Sequence, residues 1–213
     1  MPSPSPLKGD LPGYAWDTRM QGGRYRIVNA DGSLGRLVSE EEIADNLRTM
    51  YERTADQFAA LAAAVVVGDI TASLFQRAMM EQLKNLHLST AVLGAGGWDQ
   101  ADKRLYGRVG RTLRDEYRYL ARLTRQFEAG EISPTELVAR ARLYADNAYG
   151  QYWREADRRM RRAGVQQERL RTEPGACTLC VFAEAEGWVE LGTHYVPKHS
   201  NCRCHKEYRT SDE

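Results

Sequence analysis

A mainly α fold is expected of this 213-residue chain from three features: four long stretches of helical period bounded by capping residues, a repeated helix-turn-helix pattern, and the confinement of all four cysteines to positions 177–204. Together they predict a helical body of two similar helical hairpins over 39–170. A short N-terminal β-hairpin at 25–38 and an extended arm at 1–24 precede it, and a small α+β end-domain at 171–213 follows, built around the cysteines.

Composition sets the outer bounds. With 42% hydrophobic and 28% charged residues the chain has enough apolar material for a core and broad water-facing helical surfaces. No run approaches the roughly 20 apolar residues that a bilayer span requires, so no membrane contact is expected. The opening Met1-Pro2-Ser3-Pro4-Ser5-Pro6 lacks the basic region and apolar run of a secretion signal. The formal net charge of +1 hides an asymmetry: acids gather over 39–69 and arginines over 103–171. Arg154, Arg158, Arg159, Arg161 and Arg162 recur at helical spacing, which gives either a solvated helix face or a surface for phosphate.

The elements follow in order. The arm is rich in Pro, Gly and Ser, and its isolated Leu7, Leu11, Tyr14 and Trp16 show no period, so it is read as extended. Residues 24–28 and 34–38 flank Asp31-Gly32, the signature of a hairpin whose short strands need cover from elsewhere. Ser39 followed by Glu42 is a capping box, and Ile43, Leu47, Met50, Tyr51, Phe58, Leu61, Ala62 and Val65 carry a helical period to Gly68. A second helix is expected from about 71 to 93, ending at Gly94-Ala95-Gly96-Gly97, a third from about 99 to 129, and a fourth from 134 to 164 with Ser133 as cap and Pro134 at its first position.

The repeat emerges when Gly68-Asp69-Ile70-Thr71 is set on Gly130-Glu131-Ile132-Ser133. In that register Phe58 matches Leu120, Leu61 matches Leu123, Val65 matches Phe127 and Phe75 matches Leu137. Each copy is a long helix, a glycine C-cap, an apolar residue and a hydroxyl N-cap. The aromatic residues Phe58, Phe127, Tyr144, Tyr149, Tyr152 and Trp153 lie at helical spacing and are read as core, as is His87 between Leu86 and Leu88.

The cysteines form two knuckles. Cys177-x-x-Cys180 is followed by a connector bearing Gly187 and Gly192 and then by His199-x-x-Cys202-x-Cys204, a layout suited to a tetrahedral structural zinc. Donors outnumber places. Cys177 and Cys180 come first, His199 next, and Cys202 and Cys204 compete for the fourth position, with His205 and His194 as weaker candidates. Without a secretion signal, metal is preferred to disulfides.

Catalysis is not expected. Pro174-x-x-Cys177-x-x-Cys180 lacks the upstream His-x-Glu of a zinc deaminase. With His199 on the metal, a nuclease would have only His194 as base. The alternative to a structural protein is therefore a zinc-dependent nucleic-acid-binding protein or nuclease-like enzyme. In the binding form Lys198, Arg203, Lys206 and Arg209 would meet phosphates, although the segment after the knuckle is too short for a base-reading helix.

The run Cys177-Thr178-Leu179-Cys180, the Gly-bearing connector, and Pro197-Lys198-His199-Ser200-Asn201-Cys202-Arg203-Cys204 resemble the C-terminal signature of phage minor head proteins of the Mu F type, the phage head morphogenesis family. The resemblance is specific over 177–204 and diffuse over 47–164. It implies a virion component near the portal vertex of a tailed-phage head, present in the host cytoplasm during assembly, with the portal and major capsid protein as partners. It also allows non-specific DNA contact through the Arg-rich helices and a homo-oligomeric arrangement in the particle. With the chain ending at Glu213, no appended enzymatic domain is expected.

Overall fold

The computed structural model describes residues 14–17, 24–29, 31–97, 101–173, 175–196, 202 and 204–210, with the side chains of 14–17, Arg24 and Glu40 outside that description. Its elements are β1 (Tyr14–Asp17), β2 (Arg24–Val28), β3 (Leu34–Val38), α1 (Glu40–Val66), α2 (Ala72–Ala95), α3 (Lys103–Glu128), α4 (Pro134–Arg162), β4 (Gln167–Arg171), α5 (Thr178–Ala185), β5 (Val189–Glu190) and β6 (His205–Arg209).

The expected hairpin is present as β2 and β3, and one segment of the arm, β1, adds a third strand. Tyr14–Asp17 pairs antiparallel with β2, Tyr14 opposite Ile27 and Asp17 opposite Arg24, making a three-stranded sheet of order β1-β2-β3. Four residues carry no readable period, and their pairing supplies the backbone hydrogen bonds that a lone segment lacks. Cross-strand partners Tyr25 and Val38 are buried and join the main core, which is the cover these short strands require.

Local capping explains the helix starts. The Glu42 N–H donates to Ser39 Oγ at 3.0 Å, and the Leu105 N–H donates to an Asp102 carboxylate oxygen at 2.7 Å, so α3 begins a few residues later than expected. The two repeat turns have the same construction. Gly68 and Gly130 both take positive φ, of 83° and 70°, and the following Asp69 and Glu131 N–H groups reach back to Ala64 O and Gln126 O at 2.9 and 2.8 Å. Thr71 and Ser133 then accept from the N–H groups of Leu74 and Glu136, each at 3.2 Å. A left-handed C-cap is accessible to glycine without steric cost, and the hydroxyl satisfies a first-turn donor.

The hairpins interlock. α4 packs along both α1 and α2, and α2 packs also on α3, while the two helices within each hairpin, α1 with α2 and α3 with α4, touch less. Phe58 and Leu120, matched in the repeat, are both fully buried, as are Phe75 and Leu137. Edge-on contacts link Tyr51 to Tyr149, Tyr149 to Trp153, and Trp153 to Tyr152, at centroid separations of 5.4, 5.9 and 4.9 Å. The aromatic residues therefore serve the core, at energetically favoured T-shaped geometry. α2 and α4 approach closely at Gly94, where an added Cβ would stand 2.4 Å from the Tyr152 carbonyl oxygen.

The end-domain is a sheet of order β5-β4-β6 with α5 packed on β4. β4 and β6 escape a sequence reading because their inward positions include Glu168 and Lys206, charged residues that erase the usual apolar alternation. Among the described residues, no helix is long and apolar enough to cross a membrane.

Candidate metal centre

Two segments far apart in sequence deliver the sulfurs. Cys177 is the N-cap residue of α5 and Cys180 sits in its first turn, so the three-residue spacing places both on one side, with sulfurs 3.6 Å apart. Cys202 and Cys204 lie just before β6. Cys202 Sγ is 3.8 Å from Cys180 Sγ, and the sulfurs of Cys180, Cys202 and Cys204 all lie within 4.8 Å of one another in buried positions. The Tyr149 hydroxyl donates to the Cys204 carbonyl at 2.9 Å and fixes this strand approach to α4.

The spacing suits a metal. A tetrahedral site with metal–sulfur bonds of about 2.3 Å has sulfur–sulfur edges of about 3.8 Å. Burial pushes the Cys180 thiol up to about 12, and the Cys204 thiol is also held far above its ordinary value, by its hydrogen bond to Cys202 and by burial. Crowded buried thiols resist ionisation until a cation compensates the charge, and a divalent ion reverses that balance.

The structure thus brings Cys180, Cys202 and Cys204 together with Cys177 beside them. Cys202 and Cys204 both face the cluster instead of one excluding the other. His199 lies outside the described residues. His205 stands apart from the sulfur group, its Nδ1 3.8 Å from a Glu173 oxygen. His194 is buried, with its backbone N–H donating to Glu168 at 2.6 Å and its ring 3.7 Å from Glu186.

The phosphate-contact expectation for Lys206 is wrong. Its ammonium is buried and donates to Asp157 at 2.8 and 3.0 Å and to Glu168 at 2.9 Å, because an inward lysine on a sheet must find carboxylates. Arg209 lies 4.4 Å from the Trp188 ring centre, and its Nε donates to Gln167 at 2.7 Å. Lys198 and Arg203 lie outside the described residues. Three of the α4 arginines are likewise occupied: Arg154 donates to Gln151 at 2.9 Å, Arg158 to Glu155 at 2.9 Å and Arg161 to the Leu191 carbonyl at 2.9 Å.

Sequence reasoning missed a second buried polar group. His87 of α2 lies 3.8 Å from Glu116 of α3, and Asn147 of α4 donates to Glu116 at 2.8 Å. Burial lowers His87 to about 4 and raises Glu116 to about 7. Three helices supply one residue each, so no local pattern announces the cluster. No family model, curated protein or solved structure matches this chain.

Proposed function

We propose that this protein is a structural component of a tailed-phage head, of the minor-head type that its C-terminal residues resemble, in which a zinc ion closes the end-domain onto the helical body. The observation that supports the metal is the convergence of Cys180, Cys202 and Cys204, with Cys177 at 3.6 Å from Cys180. Soft thiolates at tetrahedral spacing select zinc over hard cations. Four ligands drawn from Cys177, Cys180, His199, Cys202 and Cys204 would hold it. A closed sulfur-rich site of this kind supplies folding energy where a small domain has little apolar core.

The head assignment rests on the signature over 177–204 and on the interlocked hairpins, which present a rigid surface to a portal or a major capsid protein. Metal analysis of the purified chain should give about one zinc per protein, and a metal-free, fully folded chain would overturn the staple. Co-expression with a portal and major capsid protein tests the assembly role: the chain should sediment with heads, and a chain that stays free of them would refute it.

A further inference from the structure

We propose that the outward face of α3 is a docking surface for double-stranded DNA, held through its phosphate backbone without regard to base sequence. This narrows to one helix face the non-specific DNA contact that the family resemblance allows, and it requires neither the metal nor the head.

Among the described residues, the arginines of α3 divide into those with internal partners and those without. Arg108 of α3 turns inward, its guanidinium donating to both Glu155 oxygens at 2.8 and 2.6 Å. The outward cations differ. Arg104, Arg111, Arg118 and Arg125 are exposed and recur every seven residues, with Arg114 and Arg122 exposed beside them. Of these six, only Arg118 has an ion pair among the described residues, a 3.3 Å contact to Asp115. A seven-residue repeat drifts only about 20° per step around a helix, so the first four form a nearly straight row. At about 1.5 Å per residue the row advances about 10.5 Å per arginine and spans about 32 Å.

Two glycines lie within this row's span. Gly107 and Gly110 are exposed, and a Cβ at either would meet nothing within 4 Å. Each costs about 1 kcal/mol of helix stability relative to alanine, and neither is required by packing. Bare backbone between Arg104 and Arg111 lets a bulky ligand backbone come close.

Charge complementarity decides the occupant. A B-form duplex carries one negative charge per about 1.7 Å of axis and completes a turn in about 34 Å, a rigid line of phosphates of the same length as the row. An anionic membrane would call for an apolar face beside the cations. The exposed large apolar side chains of α3 are Tyr106, Tyr117 and Tyr119, which offer no such face.

The test uses the full chain and fluorescence anisotropy with a random-sequence duplex of about three helical turns. If about five phosphates are neutralised, the log–log salt slope is about −4.5, a loss of about 500-fold between 50 and 200 mM salt. The triple substitution Arg111→Gln, Arg118→Gln, Arg125→Gln should weaken binding at least about tenfold at 50 mM salt and reduce the slope to about −1.8. The charge-matched control Arg77→Gln, Lys84→Gln, Arg162→Gln, at exposed positions on α2 and α4, should bind like the parent. Absence of duplex binding at 50 mM salt, equal losses in both triples, or tighter binding to a single strand or to phosphatidylserine vesicles would overturn the proposal. Zinc is measured on the same samples: a zinc-loaded chain that ignores DNA removes this inference alone, and a zinc-free chain that binds DNA removes only the metal reading.

Discussion

The Arg159 guanidinium lies 4.6 Å from the centre of the Tyr25 ring, tying α4 to the N-terminal sheet. Arg159 also donates to the Tyr25 hydroxyl, which in turn donates to the Leu93 carbonyl at the end of α2. One side chain from a short strand thus joins the ends of two helices. Removing only its oxygen, Tyr25→Phe, leaves the Leu93 carbonyl without that donor and should cost about 1–3 kcal/mol. Urea denaturation measures this, and an unchanged midpoint would show that the hydroxyl contributes nothing.

Lys206 plays the corresponding role in the end-domain. Its buried ammonium balances Glu168 and Asp157, and the Tyr208 hydroxyl adds a 3.0 Å hydrogen bond to Asp157. Lys206→Met leaves two carboxylates without their cation and should destabilise by about 3–5 kcal/mol. Adding Glu168→Gln to that variant should recover part of the loss, and a double variant no more stable than the single would refute the pairing.

The His87–Glu116 contact gives a pH signature. Glu116 is raised to about 7, so its stabilising contribution is complete below its unfolded value near 4.5 and disappears as pH rises through 7. His87 is lowered to about 4, so its contribution is complete above its unfolded value near 6.5 and disappears as pH falls through 4. Between these limits the two slopes oppose. Glu116→Gln removes the alkaline loss, and its stability relative to the parent should increase by about 3 kcal/mol between pH 4 and 8. Parallel profiles for variant and parent would contradict the buried carboxyl.

Two glycines should respond with opposite signs. At Gly94 a methyl group would collide with the Tyr152 carbonyl at 2.4 Å, and backbone cannot step aside as a side chain does. Gly94→Ala should therefore lower stability by about 1–3 kcal/mol, or more. Gly107 faces open space, and Gly107→Ala should raise stability by about 1 kcal/mol. Thermal unfolding of the pair checks both, and equal shifts would disprove the close crossing of α2 and α4.

At the sulfur cluster, Cys180→Ser should abolish binding of the proposed zinc and expose the end-domain to protease while the helical body stays folded, since most of the buried apolar side chains lie in α1 to α4. His205→Gln should leave metal content unchanged, because His205 stands against Glu173 and outside the sulfur group. Retained metal in the first variant would move the site elsewhere.

The four helices, their caps and the repeated turns were legible because each depends on residues within a few positions of one another. Ser39, Thr71, Ser133 and the glycines at 68 and 130 announce themselves locally. The pairing of Cys180 with Cys177 was legible for the same reason, as was a second group of cysteines at 202 and 204. What stayed hidden was β4 and β6, where Glu168 and Lys206 break the apolar alternation, and β1, too short for any period.

Local spacing therefore determined the helices, the hairpin turns and the supply of sulfur donors, since capping, periodicity and knuckle geometry act over a few residues. Tertiary packing decided which donors meet, with Cys202 and Cys204 both reaching Cys180, and which cations face water. Arg108, Arg159 and Lys206 turn inward because each finds a buried carboxylate, ring or carbonyl-linked hydroxyl on another element. Arg104, Arg111 and Arg125 remain on the surface because α3 packs through its opposite face, and a residue's charge alone carries no information about that orientation.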